Sequence, residues 1–148
     1  MKWKDPDSDG GPDESARTPD RHVADLTRVL VVGRSPINRV VVAKIVERSG
    51  LKTISEAPDT AMAMLRIMAP GTIILDGGSD NKDCDGLMQS ILSLRLASGS
   101  NLPSVILLSN RAGTPESLSL SSAVDIVVAK PITPERLQPV VEKLLGRC

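Results

Sequence analysis

From Arg28 onward, short apolar runs of strand length alternate with longer amphipathic segments. This alternation is typical of βα units, whose helices pack on the faces of a parallel sheet. The first run, residues 29–32, reads Val-Leu-Val-Val, as expected of a strand that is covered on both faces. The pattern therefore predicts an α/β fold built around one parallel sheet.

Five strands and five helices follow from this alternation. The predicted strands are residues 28–33, 51–56, 72–76, 104–109 and 124–129. The predicted helices are residues 35–48, 57–68, 86–97, 114–122 and 133–145, of which the fourth is rich in serine and has poor helix propensity. Five βα units of this spacing favour a flavodoxin-like, doubly wound, five-stranded sheet of order 2-1-3-4-5, flanked by five helices.

The N-terminal residues differ from the rest of the chain in composition. Residues 1–25 carry seven acids and four bases, which leaves eleven acids and fourteen bases for the remainder. Residues 1–26 are also rich in Asp, Pro, Gly and Ser, so they cannot bury enough apolar surface to offset the entropy of ordering. We predict a disordered acidic tail over residues 1–26 and one domain over residues 27–148.

Composition also excludes several classes of function. The net charge is zero and no dense block of bases occurs, so neither nucleic acid nor a membrane surface is expected as a partner. No apolar run is long enough to span a bilayer, and Cys84 and Cys148 suggest reduced thiols, which favours a cytoplasmic location. His22, the only histidine, lies in the predicted tail, so histidine-based catalysis is not expected. We predict that the protein is not an enzyme.

Polar side chains lie where the predicted strands end. In doubly wound sheets, ligands bind outside the carboxyl ends of the strands, where the strand order reverses. The first strand brings Gly33 and Arg34 to this edge, and the later strands bring Asp76, Ser109 and Lys130. An aspartate can form an acyl phosphate, while a hydroxyl and an ammonium group can bind phosphoryl oxygens. The sequence therefore predicts a phosphoryl site at this edge.

These residues resemble the receiver domains of bacterial response regulators, over residues 28–145. Asp76 matches the phosphoacceptor of that family, Ser109 its switch Ser/Thr, Lys130-Pro131 the pair after its fifth strand, and Asp85-Gly86-Leu87 the motif that opens its third helix. The resemblance implies two-component signal transduction and a cis peptide bond before Pro131. It also implies a histidine kinase, a phosphotransfer protein or a downstream effector as partner, and it leaves a homodimer open.

Three departures from the family pattern concern the metal and the switch. The two adjacent acids that hold magnesium in that family align with Gly33 and Arg34, and the switch aromatic aligns with Val127. The loop after Asp76 is longer than usual, and its acids Asp80, Asp83 and Asp85 are the weak candidates for replacement metal ligands. The charges of Asp76, Lys130 and Arg34 sum to +1, so magnesium binding is expected to be weak or absent.

The first hypothesis is an atypical, stand-alone receiver that acts through protein contacts. Arg34, turned inward, would pair with Asp76 and together with Lys130 hold it without a metal; the alternative is that Arg34 faces solvent. By resemblance, the contact face comprises the fourth helix, the fifth strand and the fifth helix.

Two other hypotheses stay open. In one, Asp76 is a functional phosphoacceptor that a histidine kinase phosphorylates, and either acids of the longer loop replace the missing metal ligands or Arg34 supplies the positive charge of the metal. In the other hypothesis, the domain binds a small molecule, and Gly77-Gly78-Ser79 present backbone N–H groups to a phosphate.

Overall fold

The computed structural model describes residues 25–99 and 102–144. Apart from residues 25 and 26, the predicted acidic tail lies outside the described residues, as do His22 and Cys148. Within the described ranges, no helix combines the length and the apolar character that crossing a membrane requires.

Five strands form one parallel sheet in the order β2-β1-β3-β4-β5, as predicted. The strands are β1 Asp25–Val32, β2 Lys52–Glu56, β3 Pro70–Asp76, β4 Ser104–Ser109 and β5 Ile126–Ala129. Four α-helices connect or follow them: α1 Pro36–Glu47, α2 Pro58–Met64, α3 Met88–Ser98 and α4 Pro134–Leu144. A short 3-10 helix, Asp85–Leu87, leads into α3. The predicted flavodoxin-like fold is confirmed.

Alternate residues of the strands supply two hydrophobic cores, one on each face of the sheet. Leu30, Ile73 and Leu75 face the core that α2 and α3 cover. Val29 and Ile74 face the opposite core, which α1 and α4 cover. Every residue of β3 and β4 is buried, as expected of central strands covered on both sides. Both faces are thus covered, and the strand ends are left to form a site.

Proline begins three of the helices and places their first turns at the carboxyl edge of the sheet. Pro36, Pro58 and Pro134 each open a helix, where the missing N–H group carries no penalty. The Ser35 side chain also caps α1, since it accepts a hydrogen bond from the N–H group of Asn38 at 3.2 Å. The cap fixes the first turn of α1 beside the end of β1.

The predicted fourth helix, residues 114–122, does not form, so residues 25–99 and 102–144 contain four α-helices and not five. This segment consists of turns, and Ser119 has a left-handed φ of 56°. The Ser117 hydroxyl accepts the N–H group of Thr114 at 2.8 Å, and the Thr114 hydroxyl accepts that of Ser117 at 3.1 Å. Hydroxyl groups that bond the backbone locally compete with helical hydrogen bonds, which explains the error.

Strand β1 begins at Asp25, not at Arg28, because the first strand continues along the start of β3. Asp25 pairs with Pro70, and an added Cβ atom at Gly71 would lie 2.7 Å from the Cα atom of Leu26. The glycine allows this close approach. Asp25 and Leu26 therefore belong to the sheet and not to the tail.

Candidate functional site

Asp76 ends β3 at the carboxyl edge of the sheet, and its carboxylate accepts three hydrogen bonds. Oδ1 accepts from Nζ of Lys130 at 2.7 Å and from the backbone N–H group of Gly78 at 3.1 Å. Oδ2 accepts from Nδ2 of Asn38 at 2.9 Å. The Asp76 side chain is only 8% exposed. Both carboxylate oxygens are therefore engaged by donors of the protein itself.

Lys130 reaches Asp76 across the sheet from the end of β5. Its backbone N–H group donates to the carbonyl oxygen of Ser109 at 2.8 Å, which fixes the end of β5 against β4. The Lys130-Pro131 peptide bond is cis, as the resemblance implied; the Leu102-Pro103 bond, also cis, was not predicted. Lys130 and Asp76 thus form a largely buried ion pair, as expected from strand ends that meet at one edge.

Asn38 is a residue of this candidate site that the sequence analysis missed. It lies in the first turn of α1, two residues after the proline that starts the helix. Because α1 follows β1 directly, its first turn faces the same edge as Asp76, and an amide there can donate to a carboxylate. The signal available in the sequence was a polar residue between the apolar Ile37 and the base Arg39.

The expected ion pair between Arg34 and Asp76 does not form among the described residues. The Arg34 side chain is 70% exposed, and its Nε atom lies 3.8 Å from Oδ1 of Asp83. The amide of Asn38 takes the position beside Oδ2 of Asp76 that Arg34 was expected to take. Arg34 therefore faces solvent, which is the alternative that the sequence analysis left open.

Gly33 lies so close to Asp76 that a side chain at this position would collide with it. An added Cβ atom at Gly33 would lie 2.9 Å from the Cβ atom of Asp76. A carboxylate at position 33, which the receiver pattern would supply, therefore requires Asp76 or the end of β1 to move.

The buried Ser109 and the half-buried Val127 lie on the two strands that follow Asp76 in the sheet. The Ser109 hydroxyl accepts the N–H group of Arg111 at 3.0 Å. Val127 packs against the core beneath α2 and α3. Ser109, at the position of the switch hydroxyl, thus accepts a hydrogen bond from the backbone. Val127, at the position of the switch aromatic, is an aliphatic residue that packs against the core.

The acids of the loop after β3 do not gather around Asp76. Asp80 accepts the N–H group of Lys82 at 3.0 Å, Asp83 faces Arg34, and Asp85 begins the 3-10 helix. Among residues 25–99 and 102–144, no group of three or more His, Cys, Asp or Glu side chains is placed to hold a metal ion.

The residues at this edge do not fit a magnesium ion. Magnesium requires carboxylates with free oxygen atoms, in octahedral geometry. The two oxygens of the Asp76 carboxylate already accept from Lys130, Asn38 and Gly78. The ammonium group of Lys130 also neutralises its charge, which leaves little attraction for a cation.

The glycine run after β3 does not present free N–H groups to a phosphate. The N–H group of Gly77 donates to the carbonyl oxygen of Leu108 at 3.1 Å, and that of Gly78 donates to Asp76. Two of the three N–H groups that were expected to bind a phosphate, those of Gly77 and Gly78, are therefore used within the protein.

Cys84 lies directly behind the site. Its thiol is buried and donates to the backbone carbonyl oxygen of Asp76, with sulfur and oxygen 3.5 Å apart. Burial, followed by the nearby carboxylates of Asp76, Asp83 and Asp85, raises the pKa of this thiol to about 12. The side chain is a neutral packing group at physiological pH.

The hydrogen bonds to Asp76 make the stability of the fold depend on pH. Burial raises the pKa of Asp76, but the hydrogen bonds from Lys130, Asn38 and Gly78 outweigh it and hold the pKa below the ordinary value of 3.8. A lowered pKa means that the ionised group stabilises the fold above pH 3.8, and that this contribution is lost as the pH falls through the folded value.

We therefore expect the difference in unfolding free energy between the native chain and Asp76→Asn to shrink on acidification below pH 3.8. Urea denaturation at a series of pH values measures it. Asp59→Asn, at an exposed position of α2, controls for the loss of one carboxylate. A difference between native chain and Asp76→Asn that stays constant down to acidic pH would contradict the assignment.

Because Gly33 and Asp76 lie so close together, adding one methyl group at position 33 is expected to reduce the stability of the fold more than adding one elsewhere. Gly33→Ala is expected to lower the free energy of unfolding by about 1–3 kcal/mol, because the site is overpacked. Gly86→Ala is the matched control, since its Cβ atom would meet only Cε of Met62 at 3.9 Å, an ordinary contact. Urea midpoints compare the two variants, and equal effects would argue against steric crowding at Gly33.

Comparison with known proteins supports the fold but identifies no family. No protein-family model and no curated protein matches this sequence. Solved structures do match. The chemotaxis response regulator CheY4 of Vibrio cholerae shares 21% identity, with a TM-score of 0.63 over 81% of this chain and 99% of its own. A response regulator from Thermotoga maritima shares 20% identity, with a TM-score of 0.64 over 82% of this chain and 98% of its own.

A third similar structure is the receiver domain of a sensor histidine kinase from Pseudomonas aeruginosa. It shares 18% identity with this chain, has a TM-score of 0.64, and covers 82% of this chain and 99% of its own. That protein is described with a magnesium ion coordinated in its active-site cleft. Similarity at this level of identity establishes a common fold, that of CheY-like receiver domains.

Proposed function

We propose that this protein is an atypical receiver domain of two-component signal transduction that acts through protein contacts and not through magnesium-dependent phosphorylation. One observation carries the proposal. Asp76 at the end of β3 is paired with Lys130 at the end of β5, as in a receiver site, while Asn38 occupies the oxygen that a metal would need. The protein is proposed to be cytoplasmic and without enzymatic activity of its own.

The charges around Asp76 explain why phosphoryl transfer should be slow. A phosphoryl donor is anionic, so its approach to a carboxylate needs neighbouring positive charge. Among the described residues, Lys130 is the cationic side chain that pairs with Asp76, while Arg34 lies against Asp83. Nucleophilic attack through Oδ2 would first require the amide of Asn38 to move away. The resting arrangement therefore opposes acyl phosphate formation.

The partner is proposed to be a histidine kinase, a phosphotransfer protein or a downstream effector.

The contact face that the family resemblance implied includes a fourth helix between strands β4 and β5. In this protein the segment after β4 forms turns, so that face lacks the helix. A cavity of about 490 Å³ lies between this segment and the loop after β3, lined by Arg111, Leu118 and Leu120 on one side and by Lys82 and Asp85 on the other. This groove gives the face a shape that a regular helix would not have.

Intact-mass measurement after incubation with acetyl phosphate and magnesium tests the proposal. We expect no added phosphoryl group on the native chain and no saturable heat in a magnesium titration. The variants Asp76→Asn and Asp80→Asn are run in parallel, the second as a control at an exposed acid of the same loop. An adduct, or magnesium binding, that disappears in Asp76→Asn but persists in Asp80→Asn would overturn the metal-free assignment.

The same experiment decides the second candidate, a functional phosphoacceptor at Asp76. The observation in its favour is the short Lys130–Asp76 contact of 2.7 Å, which leaves a cation in place for a phosphoryl oxygen. An adduct that forms on the native chain and not on Asp76→Asn would establish this function.

A further inference from the structure

Helix α1 carries apolar side chains on the side that faces away from the sheet. Ile37 is 76% exposed, Val40 54% and Val41 40%. They lie three and four residues apart, so they form one continuous stripe on the helix surface. Val42, Ile45 and Val46 lie on the opposite side, where they are buried against the sheet. A helix that is apolar on both sides is typical of one covered on both sides.

Two exposed bases of α1, Lys44 and Arg48, lie next to this apolar stripe, and Glu135 and Glu142 of α4 line a pocket together with Arg48. Lys44 and Arg48 continue the exposed side of the helix toward its C-terminal end, and Arg34 is exposed before its start. Glu47 is the acid of this helix, and its carboxylate accepts the hydroxyl group of Thr53 at 2.7 Å. No acid lies in the first turn of α1. A complementary ligand would therefore combine a large apolar side chain with several acids.

The chain itself contains such a ligand in residues 3–14. This segment holds Trp3, the single aromatic residue of the protein, followed by five acids and one base. The acids are Asp5, Asp7, Asp9, Asp13 and Glu14, and the base is Lys4. Tryptophan buries a large area on an apolar surface at little entropic cost, while the acids match Lys44 and Arg48 in charge.

The position of β1 places this segment within reach of α1. Arg28 of β1 pairs with Lys52 of β2, and Lys52 follows the end of α1 by five residues, so the start of β1 and the end of α1 share one edge of the sheet. The residues between Trp3 and Asp25 can span roughly 70 Å when extended, whereas α1 is roughly 18 Å long. Seen from the start of β1, Arg48 and Lys44 lie nearer than the apolar stripe, and the acids of residues 3–14 lie nearer to β1 in sequence than Trp3 does.

We infer that residues 3–14 dock on the outer face of α1, with Trp3 on Ile37, Val40 and Val41 and the acids beside Lys44 and Arg48. The contact is intramolecular and withholds this face from other proteins while it lasts. It depends on neither metal binding nor phosphorylation at Asp76. Because a tethered segment has an effective concentration of order mM, even a contact with a dissociation constant near 1 mM would be about half populated.

Quenching of tryptophan fluorescence by acrylamide tests the contact in the full chain. The protein has one Trp and no Tyr or Phe, so its emission reports on Trp3 alone. We expect the quenching constant to rise about twofold in the double variant Ile37→Asp/Val40→Asp, as the docked population is lost. Leu96→Asp is the matched control, because Leu96 is 84% exposed and lies on α3. Far-UV circular dichroism verifies that all variants are folded.

Two further measurements complete the test. Charge-reversal variants show whether the basic residues contribute to the contact, and dilution shows whether the contact forms within one molecule or between two. Lys44→Glu is expected to raise the quenching constant, whereas Arg66→Glu, at the end of α2 on the other face of the sheet, leaves it unchanged. The protection of Trp3 should not change on dilution. Equal quenching in the native chain and in Ile37→Asp/Val40→Asp, an equal rise in Leu96→Asp, or protection lost on dilution would each overturn the proposal.

Discussion

Replacing Lys130 by methionine is expected to lower the free energy of unfolding by about 2–4 kcal/mol, because it breaks a largely buried ion pair. Lys130 and Asp76 lie 2.7 Å apart, and their side chains are 20% and 8% exposed. Methionine matches the length of the lysine side chain but removes its charge, so the carboxylate of Asp76 stays buried without its cation. The remaining donors, Asn38 and Gly78, are uncharged and only partly compensate.

Urea denaturation of four proteins measures this effect as a thermodynamic cycle: the native chain, Lys130→Met, Asp76→Asn and the double variant. We expect the double variant to be more stable than the sum of the two single losses implies, because no uncompensated charge remains in it. Lys143→Met, at an exposed position of α4, is the control and should change stability by less than about 0.5 kcal/mol. Additive losses in the cycle would show that the two side chains do not interact.

Conversion of the site to one that binds magnesium is the second large effect that we expect. The variant Arg34→Asp/Asn38→Ala supplies a carboxylate at position 34 and frees Oδ2 of Asp76 from its amide donor. Exchanging a positive for a negative charge at about 5 Å from a divalent cation changes their interaction by about 3 kcal/mol, even with the screening of water. At about 1.4 kcal/mol for each factor of ten, magnesium affinity should rise by about 100-fold.

Isothermal titration of the double variant with magnesium is the measurement. Position 34 is chosen because a side chain at position 33 would collide with Asp76. The single variants should show smaller gains, since Arg34→Asp leaves Oδ2 occupied and Asn38→Ala adds no charge. Addition of Asp76→Asn should abolish binding. Binding that survives this third substitution would place the metal elsewhere, and no gain in the double variant would mean that charge does not limit metal binding at this edge.

The fold was predictable because it depends on the period of the apolar residues and on the order of strands and helices along the chain. Alternating apolar runs and amphipathic segments define βα units, and five such units have few ways to cover both faces of one sheet. The meeting of Asp76 with Lys130 followed from the same argument, because the carboxyl ends of parallel strands share an edge. Neither inference requires knowledge of a side-chain conformation.

The partners of individual side chains at the edge were not predictable in this way. Arg34 has a long, flexible side chain, and its direction depends on Asp83, which the loop after β3 brings close to it. That loop contains left-handed residues, Gly78 at a φ of 73° and Asn81 at 66°, which hydrophobic periodicity does not encode. Asn38 was overlooked for a related reason: its role exists only once the cap at Ser35 has set where α1 begins.

The position of Cys84 allows the opening of the edge around Asp76 to be measured as a rate of thiol alkylation. Its thiol is bonded to the backbone of Asp76, and it lies at the end of the loop that covers the edge of β3. A buried thiol reacts with an alkylating reagent only during the intervals in which its surroundings open. In a chain carrying Cys148→Ser, the rate of alkylation would therefore record how often the end of β3 becomes accessible. A partner protein bound over this edge would slow alkylation in proportion to its occupancy.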